Sequence, residues 1–329
     1  MVATADRCEE RTRRIVMELL LFSGLPASGK TTAAVAWVAE DPTGRVRVNY
    51  DDLRMGMFGE GWKFNHHDEN KMKTEASRQA REALTSGKSV VIDNTNLTAR
   101  AKAQWRSFAQ AFGATVIEEE FDTPVATCVE RDRKRVGKQR VGQAVIDWMA
   151  LTRGFIDWSD RELYPRDFII VDLDGTLANG EHREHYLQPK HEDTCEGSEH
   201  EPCKCKLKKD WKSYLEACHL DDPIRPIFKL VELLSQTFDV LIVSGRSMDS
   251  CGIKTEDWLL KYQGTNLHRH LFMRRGQDYR PDYEVKMEIL DYLPKDRIRY
   301  VIDDRPVVLR AWQAAGLTTL AVGDLKEFR

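Results

Sequence analysis

Short, continuous apolar runs alternate with longer polar stretches along the whole chain, the pattern of parallel strands buried on both faces and joined by helices. In the first half Met17 to Ser23, Arg45 to Asn49, Ser89 to Asp93 and Thr115 to Phe121 read as strands. Helices are predicted over Thr32 to Glu40 and Thr98 to Phe112, from near Pro124 through Arg135 with a break at Gly137, and over Gln143 to Glu162 with Trp148, Phe155 and Trp158 toward the core. In the second half Phe168 to Val171, Asp239 to Val243, Leu271 to Arg274 and Arg299 to Ile302 read as strands. Ile224 to Ser235 has helical spacing, and Arg280-Pro281-Asp282 opens a helix containing Lys286. The expectation is an α/β protein of two domains, residues 1–163 and 164–329, with an insertion at about 182–212 in the second.

Composition narrows this reading without redirecting it. At 329 residues the chain is long for one domain, and no run approaches the roughly 18 apolar residues of a membrane span. The stretch Ile15 to Phe22 follows several arginines but is interrupted by Glu18 and leads into a glycine-rich loop, so a strand in a cytoplasmic protein is expected rather than a signal peptide. The seven cysteines do not form a secreted disulfide framework, and free thiols are expected. With a net charge of −3, bulk attraction to duplex nucleic acid is excluded, and any such contact must be local; the one dense basic stretch is Arg131 to Arg140.

The first strand runs into Gly24-Leu25-Pro26-Ala27-Ser28-Gly29-Lys30-Thr31-Thr32, a G-x-x-x-x-G-K-T loop in its strand-to-helix context. There backbone amides surround a β-phosphate, Lys30 reaches the β/γ oxygens, and Thr31 ligates Mg²⁺. The second strand ends in Asp51-Asp52-Leu53-Arg54, where a kinase needs a base and a cation for its acceptor; an acidic N-cap followed by a surface Arg would read the same. Asn94-Thr95-Asn96 follows the third strand. Arg131 and Arg135, just before Gly137, suit a lid that closes on phosphates, or a solvated helix face.

In the second half Asp172 and Asp174 follow a buried strand in D-x-D-G-T, at the end where open α/β sheets bind ligands. Ser244-Gly245-Arg246, Lys286 and Asp303-Asp304 follow in order at strand or helix ends. This succession resembles the haloacid dehalogenase phosphatases. The resemblance implies that Asp172 attacks phosphorus to give an aspartyl-phosphate, and that Asp174 protonates the leaving hydroxyl and then activates water. It also implies that Ser244, Gly245, Arg246 and Lys286 hold the phosphate, and that Asp172, Asp303, Asp304 and the Asp174 carbonyl bind Mg²⁺. The segment Gln188 to Asp210 carries His191, Cys195, His200, Cys203 and Cys205, but C-x-C with loosely spaced histidines is a weak zinc signal. A small cap anchored by Lys209, Asp210 and Trp211 is the expected use of this segment.

Taken together, the phosphate loop, D-D-x-R, T-N-L, R-x-x-x-R and D-x-D-G-T resemble, in content and order over nearly the whole chain, the bacteriophage polynucleotide 5′-kinase/3′-phosphatases. The implied architecture is a P-loop NTPase sheet followed by a Rossmann-like phosphatase with a small cap. The implied activities are ATP-dependent phosphorylation of 5′-OH ends and Mg²⁺-dependent removal of 3′-phosphate, 2′,3′-cyclic ends left open. The implied partners are RNA or DNA ends and a ligase of the same pathway, in a host cytoplasm if phage-encoded, with a homo-oligomer compatible. By the same resemblance Gly24, Ser28, Gly29, Lys30, Thr31, Thr32, Arg131 and Arg135 hold ATP, Asp51 is the base, and Arg54, Asn94 and Thr95 receive the 5′ end. Where the family has Asp before T-N this chain has Asn94, whose amide is expected to accept from Arg54 without a full ion pair. The competing readings are a small-metabolite kinase fused to an unrelated phosphatase, and a nucleotide-dependent end sensor, against which the intact Lys30, Asp51, Asp172 and Asp174 argue.

Overall fold

A computed structural model of the chain describes residues 17–62, 64–188, 209–263 and 267–323. The candidate zinc ligands His191, Cys195, His200, Cys203 and Cys205 lie outside the described residues. The chain divides into two compact units, Met1–Cys128 and Val129–Arg329, earlier than the expected boundary at 163. Among the described residues no helix is long and apolar enough to cross a membrane.

The first unit runs β1 (Glu18–Gly24), α1 (Lys30–Glu40), β2 (Arg45–Val48), α2 (Tyr50–Phe58), α3 (His66–Thr85), β3 (Ser89–Asp93), α4 (Ala99–Ala111) and β4 (Thr115–Phe121). Its strands are parallel in the order β2-β3-β1-β4, with Leu21 opposite Ile92 and Glu118. Alternation along β1 sends Leu19 and Leu21 into a core with Val48, Ile92 and the small face of α3, Ala76 and Ala80. Leu20 and Phe22 pack on the other side with Ala34 and Val91. Both faces of the central strand are therefore covered, which is why it reads as an unbroken apolar run.

Helix α5 (Val125–Arg133) crosses the division between the units. The second unit continues with α6 (Gln143–Arg153), β5 (Phe168–Val171), β6 (Ala178–Asn179), α7 (Trp211–Glu216), β7 (Asp222–Pro223), α8 (Arg225–Leu234) and β8 (Asp239–Ser247). It ends with α9 (Met248–Gln263), β9 (His270–Arg274), α10 (Asp282–Leu290), β10 (Ile298–Asp303), α11 (Pro306–Ala314) and β11 (Thr319–Ala321). The parallel order β11-β10-β5-β8-β9 puts β5 at the centre, while β6 and β7 form a small antiparallel pair. Cys128, Cys218 and Cys251 are buried and take part in no disulfide.

Two helices are shorter than their periodicity suggests. Helix α6 stops at Arg153 instead of Glu162, because Gly154 takes the left-handed C-cap (φ 76°) and donates its N–H to Ala150. Ala144, Ile146, Ala150 and Leu151 are its buried hydrophobic residues, while Trp148, Phe155 and Trp158 are only half-buried. Helix α5 stops at Arg133 and leaves Arg135 beyond its end. The buried Asp132 carboxylate accepts from Val141 N at 3.1 Å and Gly142 N at 2.8 Å, holding the following turn in place of further helix.

A buried polar network ties α6 to the edge strand β9. The Asp147 carboxylate accepts from Leu271 N at 2.8 Å and from Gln143 Nε2 at 3.0 Å, and lies 2.8 Å from His270 Nδ1. His270 Nε2 in turn lies 3.0 Å from the Tyr164 hydroxyl. Glu256 on α9, fully buried, accepts from Arg133 Nε at 2.8 Å, Arg140 at 2.9 Å and Gln143 N at 3.1 Å. Each carboxylate is satisfied several times over, as a buried charge requires.

His268, whose Nε2 lies 3.2 Å from Gln143 Oε1, belongs to the same network. Burial, with Arg133 and His270 adding to it against Asp147, pulls its imidazolium down to about 4. The unfolded chain, with His near 6.5, binds more protons than the folded one between those values. This contribution to stability is therefore present above about pH 6.5 and lost as pH falls toward about 4, a swing on the order of 3 kcal/mol. Denaturant unfolding of the unsubstituted chain and His268→Gln between pH 7 and 4 checks this: the difference between the two should shrink or reverse as pH falls. A difference independent of pH would contradict it.

Candidate active sites

The phosphate loop is shaped by positions where only glycine or a left-handed residue fits. Gly24 has φ 148°, and a Cβ there would stand 2.9 Å from both Phe121 O and Ser28 Oγ. Gly29, φ 109°, caps α1, and Gly24 N donates to Thr95 O at 3.1 Å, fixing the loop against the end of β3. Lys30 is buried, and its ammonium donates to Gly24 O (2.9 Å), Leu25 O (2.6 Å) and Ser28 Oγ (3.1 Å). Thr31 and Thr32 are exposed in the first turn of α1. The result is an anion cradle at a helix N-terminus with a lysine at its rim.

Asn49 places the next pair. Its side chain caps α2 by accepting from Asp51 N and Asp52 N, each at 2.9 Å, and donates to Asp93 O at 2.6 Å. Asp51 is thereby held exposed in the first turn, 2.6 Å from Arg54 Nη1. The orientation of Arg54 comes from elsewhere: Glu69 of α3 receives it in a two-pronged ion pair, Nε to Oε2 at 3.0 Å and Nη2 to Oε1 at 2.9 Å. The expected Asn94 to Arg54 bond is not formed. Asn94 Oδ1 accepts from Tyr50 N at 2.9 Å, which spends that acceptor on the helix terminus, and Glu69 supplies the full charge that Asn94 lacks.

Of the two lid candidates, Arg131 is exposed on α5, and Arg135 lies past the helix with Nη1 3.3 Å from Gln139 O and 3.6 Å from Asp132. Between them Arg133, which carried no functional expectation, is the one turned inward, to Glu256 and Gln143.

In the second unit the central position of β5 brings distant sequence segments together. Asp172 follows β5, Asp303 ends the neighbouring β10, and oxygens of Asp172, Asp303 and Asp304 all lie within 4.8 Å of one another. Lys286 of α10, buried, bridges Asp172 Oδ1 at 2.7 Å and Asp303 Oδ2 at 2.8 Å. Gly175, φ 78°, passes so close to the Asp304 carboxylate that a Cβ would collide with it. Burial, together with Asp303 and Asp304, pushes Asp172 well above the usual carboxylate range despite Lys286. Burial and Asp303 likewise raise Asp304 to about 6. Burial pulls Lys286 down, but Asp172 and Asp303 outweigh it and leave it raised. Three crowded carboxylates against one ammonium leave an excess of negative charge, and an all-oxygen donor set of this kind fits Mg²⁺ and not zinc.

The Asp174 side chain is not part of that cluster. It accepts from Arg246 (Nε 3.1 Å, Nη2 2.6 Å) and Arg183, and both guanidiniums share the fully buried Asp221, Arg246 Nη2 at 2.6 Å and Arg183 Nε at 2.7 Å. Burial acts to raise Asp174, but Arg246 and Arg183 outweigh it and hold the carboxyl well below the usual range. Ser244 is buried, its hydroxyl accepting from Arg246 N at 3.2 Å, and Gly245 packs against Asp282. Arg183 and Asp221 carried no role in the sequence reading; Asp221 sits in an ordinary acidic turn, and only the fold reveals that it joins two arginines.

Two family models match separate parts of the chain. Residues 19–154 match a family model described as AAA domain, and residues 206–326 match one described as polynucleotide kinase PNKP phosphatase domain. The second match contains Arg246, Lys286, Asp303 and Asp304 but begins after Asp172 and Asp174, which the β5–β10 pairing sets beside them. A protein of Autographa californica nuclear polyhedrosis virus, named for polynucleotide kinase and RNA ligase activities, is 26% identical over 326 residues, 92% of this chain and 42% of its own length. The bifunctional polynucleotide phosphatase/kinase of Schizosaccharomyces pombe is 36% identical over 95 residues, 29% of this chain and 19% of its own. The chain thus spans less than half the length of these curated relatives. A solved chain of the Pnkp1/Rnl/Hen1 RNA repair complex aligns over 94% of this chain and 97% of its own at 23% identity and a TM-score of 0.37.

Proposed function

From a chain that joins a P-loop kinase domain to a haloacid dehalogenase-type domain of the polynucleotide kinase phosphatase family, we propose a bifunctional enzyme that heals nucleic-acid ends. It phosphorylates 5′-OH ends with ATP and removes phosphate from 3′ ends. The phosphate loop and the acceptor pair belong to the first unit and the aspartate cluster to the second. The observation that carries the reading is the Lys286-bridged cluster of Asp172, Asp303 and Asp304, following a complete phosphate loop in the same chain.

In the first reaction the loop amides and Lys30 hold the donor phosphates, with Arg135 and Arg131 closing over them. Asp51 accepts the proton of the 5′ hydroxyl while Arg54, braced by Glu69, holds the phosphate of the terminal nucleotide. In the second reaction Asp172 is the nucleophile toward phosphorus, and Lys286 and the Ser244-Gly245 strand end receive the phosphoryl oxygens. Asp172, Asp303 and Asp304 would hold Mg²⁺, which when bound supplies countercharge that keeps Asp172 ionised. Asp174 enters as a carboxylate, because Arg246 and Arg183 favour that form. A phosphate dianion competes for the same guanidiniums; as it draws on them Asp174 takes up a proton from water, passes it to the leaving oxygen as the P–O bond breaks, and then accepts a proton from the water that attacks the aspartyl-phosphate.

The test is one incubation of end-defined RNA and DNA oligonucleotides with ATP and Mg²⁺, with nucleosides as competitors. Phosphate gained at 5′-OH and lost at 3′ ends is expected, leaving ends suited to a nucleic-acid ligase. Transfer to nucleosides or sugars but not to oligonucleotides would favour a metabolite kinase instead.

The brace on Arg54 gives a finer prediction. Arg54→Ala should raise KM for an acceptor bearing the terminal phosphate roughly ten- to a hundredfold, the worth of a charge-assisted contact, with KM for ATP little changed. Glu69→Gln should produce the same selective loss, smaller in size, in acceptor titrations of the full chain. Equal losses for acceptors without that phosphate would assign Arg54 another role.

A further inference from the structure

We propose that the loop from Arg275 to Arg280 is a ledge for the single-stranded polynucleotide leading up to the 3′-phosphate, with the Tyr279 ring stacking on a base. The inference rests on the phosphatase reading of the second site and extends it to the strand beyond the terminal nucleotide.

The loop stands where such a strand must pass. It leaves β9 at the carboxyl edge of the sheet, the edge that carries Asp172 and Asp303, and leads into α10, which carries Lys286. Arg275, Gly276, Gln277, Asp278, Tyr279 and Arg280 line a concavity of about 600 Å³.

Tyr279 is 91% exposed, and among the described residues its ring has no aromatic, cation or hydrogen-bonding partner. An aromatic side chain left in water contributes little to the fold, whereas base–aromatic stacking is tolerant of sequence and strong.

The loop beneath the ring is held, so a base would meet a preformed surface. Arg274 donates to Gly245 O at 2.8 Å and to the carbonyls of Asp278, at 3.1 Å, and Arg280. Arg275 and Arg280 both reach Glu288 of α10, Arg275 at 2.7 Å, and Asp278 accepts from Arg280 at 3.0 Å. Gly276 lies against the Asp249 carboxylate, so a larger residue there would displace that side chain.

The test uses the full chain with Mg²⁺ and two single-stranded 3′-phosphorylated oligonucleotides of equal length, one intact and one with abasic residues next to the terminal nucleotide. Tyr279→Ala should raise KM for the intact strand about tenfold with kcat unchanged, and Tyr279→Phe should restore it. The abasic strand should already show that loss with the unsubstituted chain, and Tyr279→Ala should add nothing to it. Losses that add, a fall in kcat in place of the KM change, or Phe as weak as Ala would overturn the stacking role. Failure of the unsubstituted chain to release phosphate from any oligonucleotide would sink the phosphatase reading itself, and this inference with it.

Discussion

Asp172→Asn should abolish 3′-phosphate release, by about 10⁴-fold or more, while 5′ phosphorylation continues at its ordinary rate. A neutral amide has no charge with which to attack phosphorus, and the neighbouring Asp303 and Asp304 cannot replace it from their own positions. The fold should tolerate the change. Burial already disfavours charge at Asp172, and Lys286 keeps Asp303 as a partner at 2.8 Å. Phosphate release from a 3′-phosphorylated oligonucleotide, set beside labelled transfer to a 5′-OH oligonucleotide, reads both sides. Loss of both activities in protein shown by circular dichroism to be folded would point to one composite site or to tight coupling.

The reciprocal result is expected for Lys30→Ala, which removes a positive charge from the γ-phosphoryl transition state. A fall of roughly 10²- to 10³-fold in 5′ phosphorylation is expected, with 3′ dephosphorylation intact. Lys30 also donates to Gly24 O, Leu25 O and Ser28 Oγ, so the loop itself loses three internal bonds. Lys30→Met keeps much of the buried stem without the charge and separates the two causes. If Met restores activity, shape and not charge is what Lys30 contributes.

Both predictions rest on motifs that were legible in the sequence because their chemistry is local. G-x-x-x-x-G-K-T and D-x-D-G-T combine glycines at forced backbone angles with the groups they position, all within a few residues. The central strands were legible because parallel sheets bury both faces, whereas the three-residue edge strand β11 and the short β6 and β7 carry no such run and were not expected. Helix α3 was not, since its 20 residues are largely polar and its core face is made mostly of alanines, Ala76, Ala80 and Ala83, with Met72. Its loss hid Glu69, which nothing in the sequence distinguishes from any other surface acid until the fold sets it against Arg54, 15 residues earlier. Asp221 was hidden in the same way, because its partners Arg183 and Arg246 come from opposite sides of it in the chain. Local rules find groups that act on a ligand; groups that hold those groups still are found only in three dimensions.

The attachment of α6 to β9 bears on how such proteins can be cut and recombined. By sequence, residues 129–154 belong to the AAA-type match, yet they fold within the second unit. A phosphatase fragment begun at 164 would strip Glu256 of Arg133, Arg140 and Gln143, leaving a fully buried carboxylate without those donors, and would open the β9 edge at Leu271. Chimaeras joined between the two family matches would inherit both defects. A junction near 128 would keep the network whole, and donor and recipient would then exchange the basic stretch from Arg131 to Arg140 with the second unit, not with the first sheet.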